Sequence, residues 1–144
     1  MNSDTPTLRA SDIVSGYGDH EVLHGVSIES HEGITCLFGP NGSGKSTLLK
    51  TLNGTVPVWS GSITYGDVDL TDSTPEETVK ADIATVPQGG GVLASLTVDE
   101  NLRIGGFTVD DETVFQDRRA EVLEAFPALE EKLDAPAGSL SGGQ

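Results

Sequence analysis

The 144-residue chain is long enough for one domain with a hydrophobic core and too short for two. It carries 23 acidic against 8 basic residues, for a net charge of −15, which argues against a nucleic-acid-binding surface because such a surface needs a basic stripe. No apolar run approaches the roughly 18 residues of a membrane span, and residues 1–7 lack the basic and apolar parts of a secretion signal. We therefore expect an intracellular protein, either soluble or held at a membrane by a partner.

The acidic residues are spread over both halves of the chain, so a solvated acidic surface is the simplest interpretation, and adaptation to high salt is a further hypothesis. Cys36 is the only cysteine and excludes an internal disulfide; its place in an apolar run predicts a small core residue. His20, His24 and His31 lack the spacing of metal ligands and are interpreted as structural or surface residues.

The first elements read as a β-hairpin. Residues 8–14 predict a strand that ends in a turn at 15–19, and residues 22–29 predict its antiparallel neighbour. Tyr17 stands between two glycines in this turn. An exposed ring there could stack on a flat ligand, although the residues alone favour ordinary packing.

A glycine-rich motif follows, preceded by the apolar run 34–38, which predicts a buried strand, and followed by the helical pattern of residues 46–53. The motif matches G-x-x-x-x-G-K-[ST] at every fixed position and consists of Gly39, Pro40, Asn41, Gly42, Ser43, Gly44, Lys45, Ser46 and Thr47. A strand before it and a helix after it are the context in which this motif binds phosphates, so a chance glycine turn is a much weaker explanation.

The residue types of the motif suit triphosphate oxygens. Its three glycines let the backbone wrap closely and turn its amides inward, and the helix that opens near Ser46 adds about half an elementary positive charge. The motif assigns Lys45 to the outer phosphates and the Ser46 hydroxyl to a magnesium ion.

Residues 54–57 end this helix, and residues 60–70 predict two strands joined by a glycine turn, with Trp59 packed beneath them. Thr74 and Glu77 form a capping box with a proline at the first helical position, which predicts a short helix to about residue 81. A buried strand is predicted at residues 83–86. Gln88 and three glycines come next, at a place where a polar side chain could reach a ligand crevice, although an ordinary loop amide is the commoner case.

The second half predicts helices. Thr97 and Glu100 form another capping box, which opens a helix with Leu102 and Ile104 on its inner side. Residues 111–126 predict an amphipathic helix, and residues 129–133 one more turn. The longer helix is expected to bury Val114, Phe115, Val122, Leu123 and Phe126, and to leave Arg118, Arg119 and Glu121 mostly in water.

The last five residues are Leu140, Ser141, Gly142, Gly143 and Gln144. Ser141 is a good helix N-cap, and the glycines leave backbone amides uncovered, so a following helix would make this a second anion site. Alone, the string would read as a disordered tail.

Together, the motif at residues 39–47, the glutamine at 88 and the LSGGQ sequence at 140–144 resemble, in that order, the ATP-binding subunits of ABC transporters. The resemblance covers residues 8–144. It implies an α/β fold, the P-loop NTPase ABC-type nucleotide-binding domain, with a β-subdomain, a parallel-sheet core and a helical subdomain. It implies a tail at 1–7, the β-subdomain and P-loop core at 8–91, and the helical subdomain at 92–144, with truncation before the Walker B strand.

The same resemblance implies ATP and Mg²⁺ as cofactors and a role for each motif. Tyr17 would stack on adenine, Lys45 and Thr47 would contact phosphates, and Ser46 and Gln88 would complete the magnesium shell. Gln88 would also report the nucleotide state to the membrane partner. The nucleotide held by a second, head-to-tail subunit would be covered by Ser141, Gly142, Gly143 and Gln144.

Within the family the chain resembles subunits of branched-chain amino acid importers, on residues 16–18, 22–27, 95–102 and 126–129. The partners implied are a second ATP-binding subunit, transmembrane permease subunits and an extracytoplasmic solute-binding protein in the same system. The chain itself would lie at the cytoplasmic face of the membrane. The family's Walker B Asp, catalytic Glu and switch His have no counterpart here, which predicts an amino-terminal fragment that does not turn over alone. A non-transport assembly or repair ATPase and a non-hydrolysing nucleotide-binding module remain alternatives.

Overall fold

The computed structural model describes residues 6–30 and 32–141 and divides the chain into two compact units, Met1–Thr85 and Val86–Gln144. The first unit opens with a hairpin of β1 (Leu8–Tyr17) and β2 (His20–Glu29), which pair antiparallel as predicted. The two-residue turn between them needs a positive φ, and Gly18 supplies it at +56°. Strand β1 therefore runs further than predicted and ends on Tyr17.

Helix α1 (Lys45–Leu52) follows the glycine motif, and β3 (Val58–Tyr65) and β4 (Val68–Asp69) come after it. Within the described residues these strands form one antiparallel sheet in the order β2-β1-β3-β4. The β3–β4 pair and its glycine turn were predicted from the sequence. Trp59 was expected beneath this pair, but it lies partly exposed and its ring packs over Gly16.

The core of the first unit lies between α1 and the sheet. Ile13 of β1 and Ile63 of β3 are fully buried, and Leu48 and Leu52 of α1 pack in the same cluster. Full burial of such a side chain is worth roughly 1.5–3 kcal/mol. This packing fixes the helix that carries the glycine motif against the strand that carries Tyr17.

The segment before the motif differs from the prediction. Residues 34–38 form no strand, and Ile34 and Phe38 are 93% and 87% exposed. Cys36, predicted as a core residue, is exposed as well. A strand requires a neighbour that pairs with it along its length, and the sheet of the described residues contains β1 to β4 and does not extend to this segment. The apolar run alone was therefore insufficient evidence for a strand.

Helix α2 (Pro75–Lys80) confirms the first predicted capping box: the Thr74 hydroxyl accepts from the Glu77 amide, and the Glu77 carboxylate accepts from the Thr74 amide at 2.7 Å. The strand predicted at 83–86 is absent from the described structure for the same reason as the one at 34–38, and Val86 is 83% exposed. Neither of the two segments expected to form the parallel core is a strand in the described part of the chain.

The second unit is helical, with α3 (Val98–Gly105), α4 (Glu112–Ala125), α5 (Pro127–Glu130) and a 3₁₀ turn (Ala137–Ser139). The Thr97–Glu100 capping box is confirmed at the start of α3. A backbone hydrogen bond joins the start of α3 to the segment before the 3₁₀ turn, because the Val98 amide donates to the Ala135 carbonyl at 3.0 Å.

The buried side chains of this unit are fewer than predicted. Phe115 and Leu123 are buried as expected, but Val114 and Phe126 of the predicted inner face and Ile104 of α3 are exposed. An apolar pattern identifies the inner face of a helix but does not say how much of that face another segment covers. Arg119, placed mostly in water, is partly buried and donates from Nε to Asp99 at 2.8 Å.

Among the described residues, no helix combines the length and the hydropathy that a membrane crossing would require.

Candidate functional site

The glycine motif forms a loop closed by its own lysine. The Lys45 ammonium group donates to the Gly39 carbonyl at 2.8 Å and to the Pro40 carbonyl at 2.6 Å, and lies 3.5 Å from the Ser43 hydroxyl. The side chain therefore curls back over the loop instead of extending into solvent. A positive charge is held where the loop opens.

The glycines are required by the conformation of this loop. Gly42 and Gly44 have φ values of +82° and +90°, which side chains rarely adopt. A Cβ atom on Gly39 would stand 2.8 Å from the Ser43 Oγ atom. The loop is therefore a tight cradle that a side chain would fill. Asn41 is exposed near its tip.

The cradle leads directly into the amino-terminal end of α1. Gly44 is the N-cap of this helix and supplies no side-chain bond, whereas Thr74, Thr97 and Asp111 cap α2, α3 and α4. The first amides of α1 thus lack a capping side chain among the described residues, and its first turn carries no acidic residue. Uncapped amides, the helix dipole and the lysine together suit a polyanion.

Two predicted residues continue the loop into the helix. Ser46 is exposed on the first turn of α1, where its hydroxyl can reach a ligand. Thr47 is buried, and its carbonyl lies 2.9 Å from the Thr51 hydroxyl one turn later.

Tyr17 lies beside a cavity of about 450 Å³ near the outer part of α1. Its ring is nearly half exposed, and the Lys50 ammonium lies 5.9 Å from the ring centroid. Trp59, Thr55 and Pro57 line the same cavity. Lys50 stands five residues after the lysine of the loop, about 7.5 Å along the helix axis at 1.5 Å per residue. One helix therefore connects the loop to the aromatic cavity.

Lys50 and Trp59 were not recognised as site residues from the sequence. Lys50 lies on the helix predicted at residues 46–53, five residues after Lys45, and this spacing is the signal that could have pointed to it. Trp59 gave no such signal, because its position follows from the pairing of β3 with β1.

The remaining predicted site residues lie in the second unit or outside the described residues. Gln88 occupies an exposed turn closed by the Gly90 amide, which donates to the Pro87 carbonyl at 3.2 Å; Gly89 has the positive φ that such a turn needs at its third position. Ser141 is exposed and follows the half-buried Leu140. Gly142, Gly143 and Gln144 lie outside the described residues, as does His31.

His20 and His24 are exposed, as their interpretation as structural or surface residues allows. Within residues 6–30 and 32–141, no group of three or more His, Cys, Asp or Glu side chains is placed to hold a metal ion.

Comparison with known proteins shows the family. The model of the ABC transporter family matches residues 23–144. The chain is 44% identical over 129 residues to the high-affinity branched-chain amino acid transport ATP-binding protein BraG of Pseudomonas aeruginosa, covering 89% of this chain and 55% of that protein. It is 42% identical over 138 residues to the probable branched-chain amino acid transport ATP-binding protein LivF of Archaeoglobus fulgidus, covering 95% of this chain and 58% of that protein.

Solved structures agree with the sequence relatives. A nucleotide-free ATP-binding cassette from an ABC transporter has a TM-score of 0.79 at 34% identity, over 96% of this chain and 60% of that chain. The ADP conformation of an ATP-binding cassette scores 0.78 at 32% identity, with the same coverage. The predicted α/β fold of the ABC type is therefore confirmed at the level of the family.

The chain spans little more than half the length of the two curated relatives described above. The family model, the sequence relatives and the solved structures all identify the same kind of domain over that span. The chain therefore belongs to the ABC transporter family as an ATP-binding domain.

Proposed function

We propose that this domain binds ATP with magnesium in the glycine loop and that the complete subunit hydrolyses ATP to energise a membrane transporter. The observation that carries the proposal is the Lys45 ammonium, held by two loop carbonyls at the start of a helix whose N-cap, Gly44, has no side chain to cap it. A cation and uncovered amides at one point favour a ligand with several negative oxygens.

Each part of the loop has a role in this proposal. The backbone of Gly39, Pro40, Asn41, Gly42, Ser43 and Gly44 surrounds the outer phosphates. Lys45 exchanges its carbonyl partners for phosphate oxygens, and Thr47 contributes a further phosphate contact. Tyr17 stacks on adenine, because an aromatic face at the edge of a cavity suits a flat base.

Magnesium fits the donors that the chain offers. The Ser46 hydroxyl is exposed on the first turn of α1, and hydroxyl and amide oxygens are ligands that Mg²⁺ accepts alongside phosphates and water. We assign Ser46 and Gln88 to it. When bound, the ion neutralises charge on the phosphate oxygens; the chain's own residues position the phosphates.

The assembly that we propose has two ATP-binding subunits arranged head to tail. The γ-phosphate held by one subunit would be covered by Ser141, Gly142, Gly143 and Gln144 of the other. In this two-fold arrangement every contact across the interface occurs twice. Permease subunits would contact the loop around Gln88 at the cytoplasmic face of the membrane. An extracytoplasmic solute-binding protein would belong to the same system on the other side. The names of two relatives support branched-chain amino acids or related small solutes as cargo.

Titration with MgATP tests the binding proposal. We expect Lys45→Ala to weaken binding roughly ten- to a hundredfold, since a hydrogen bond to a charged group contributes about 1.5–3 kcal/mol. Lys80→Ala is the matched control. Lys80 pairs with Glu76 on the exposed side of α2, and a surface ion pair contributes little, so this variant should change the affinity for MgATP less than about twofold. Equal affinity of the two variants would contradict the assignment of Lys45.

Phosphate release tests the catalytic part. The carboxylates that orient water in this family have no counterpart in residues 1–144, so we expect the chain alone to bind nucleotide weakly and to release no phosphate. Turnover that Lys45→Ala abolishes would refute this expectation.

A further inference from the structure

Two buried hydroxyl groups connect the strand that carries Tyr17 with the helix that begins at Lys45. Ser15 of β1 and Thr51 of α1 are 0% and 2% exposed, and their hydroxyl oxygens lie 3.1 Å apart. The Ser15 hydroxyl can also donate to the Pro57 carbonyl at 2.7 Å, and the Thr51 hydroxyl to the Thr47 carbonyl at 2.9 Å. The two hydroxyl protons can satisfy any two of these three contacts, so neither hydroxyl is left unbonded.

A second contact between β1 and α1 lies at the surface of the protein. Ser15 and Tyr17 are two residues apart on β1, and Thr51 and Lys50 are neighbours on α1. The Lys50 ammonium lies 5.9 Å from the centre of the Tyr17 ring. The end of β1 is thus attached to α1 by a buried hydroxyl pair and an exposed cation–π pair. The exposed pair is worth about 0.5–1 kcal/mol and lets the ring shift. The buried pair is closely packed away from water, so moving β1 relative to α1 would break up a contact that the interior cannot easily replace.

We propose that Ser15 and Thr51 are positioning residues that fix the distance between the Tyr17 ring and the phosphate loop, and so favour a triphosphate that carries a base over triphosphate alone. The inference rests on the proposed binding of ATP. A base and its phosphates are joined through one sugar, so the ring and the loop must stand at a matching separation for both to make contact. The hydroxyl pair sets this separation, since it ties the base-contacting strand to the helix that begins in the loop.

A purely structural role makes a different prediction. If the hydroxyls only stabilise the fold, their removal lowers the melting temperature and affects every ligand alike. If they position Tyr17, their removal weakens binding of ATP and leaves inorganic tripolyphosphate, which has no base, unaffected. The ratio of the two affinities therefore separates the roles.

The experiment uses the full chain with MgATP and with magnesium tripolyphosphate. Trp59 is the only tryptophan and lines the Tyr17 cavity, so its fluorescence reports ATP binding, and tripolyphosphate is measured by competition. Thr51→Val removes the hydroxyl and keeps the side-chain shape, and we expect it to weaken ATP binding three- to tenfold, on the order of one lost interaction, with less than a twofold change for tripolyphosphate. Thr51→Ser restores the hydroxyl and should recover ATP affinity.

Repeating Thr51→Val in a Tyr17→Ala background completes the test, because a positioning residue has no effect once the residue that it positions is gone. Ser15→Ala is the second probe and should show the same ligand selectivity if Thr51→Val fails to fold. Equal losses for both ligands, an unchanged ATP affinity, or the same loss without Tyr17 would each overturn the inference. If the unmodified chain binds neither ligand, the proposed function fails, and the inference fails with it.

Discussion

Replacing Gly44 with alanine tests the physical basis of the phosphate loop. Gly44 has φ +90°, and a left-handed conformation costs a residue with a side chain roughly 1–2 kcal/mol. The added Cβ would lie 3.0 Å from the Leu23 Cδ2 atom and 3.6 Å from the Val22 Cγ1 atom. Leu23 is a buried core residue, so relieving this contact requires repacking, which costs about 1 kcal/mol or more. Together these effects predict a loss of about 2–3 kcal/mol in the free energy of unfolding.

Gly42→Ala is the matched control. Gly42 has a similar φ of +82°, but no described atom lies within 4 Å of its added Cβ. It should therefore show the backbone cost alone, about 1–2 kcal/mol. The two variants differ mainly in the contact with Leu23.

Urea unfolding followed by Trp59 fluorescence provides the assay, because Trp59 lies in the same compact unit as both glycines. We expect a lower midpoint for Gly44→Ala than for Gly42→Ala, with unchanged slopes. If Gly42→Ala is as destabilising as Gly44→Ala, the packing of Leu23 against the loop does not contribute and the reasoning is wrong.

Three further predictions concern stability. Asp82 follows the C-cap of α2 with φ +63°, and Ile83 donates past it to the Thr78 carbonyl. Asp82→Gly removes a left-handed cost of about 1–2 kcal/mol and adds a smaller unfolded-chain entropy cost, so the free energy of unfolding should rise by roughly 0.5–1 kcal/mol in urea titrations. The pKa of Glu77 is lowered, chiefly by the hydrogen bond from the Thr74 amide and then by the one from the Thr74 hydroxyl. The ionised Glu77 therefore contributes stability that is complete above the ordinary pKa of glutamate and is lost as the pH falls through the lowered value. Glu77→Gln should remove that part of the pH dependence of unfolding. Because the net charge is −15, the melting temperature should rise with KCl concentration, and a maximum at low ionic strength would count against the high-salt hypothesis.

The features that could be predicted from the sequence are those decided by neighbouring residues. Thr74 and Glu77 form a capping box through contacts three residues apart, so the start of α2 follows from local chemistry. The glycine loop is similar, since its φ values and the position of Lys45 depend on nine consecutive residues.

Features decided by distant residues could not be predicted. The run at 34–38 has the composition of a buried strand, but a strand depends on neighbours that composition does not identify. Ser15 and Thr51 look ordinary in a strand and a helix, and only the packing of β1 against α1 brings their hydroxyls together. The same holds for the contact of Lys50 with Tyr17.

The exposed run at 34–38 has a consequence for how copies of this chain behave in concentrated solution. Ile34 and Phe38 present large apolar side chains to solvent close together in the chain, and exposed apolar surface of this kind favours association between molecules. The net charge of −15 opposes such encounters by mutual repulsion. Added salt, by weakening that repulsion, should therefore promote clustering of chains even while it protects each one from unfolding.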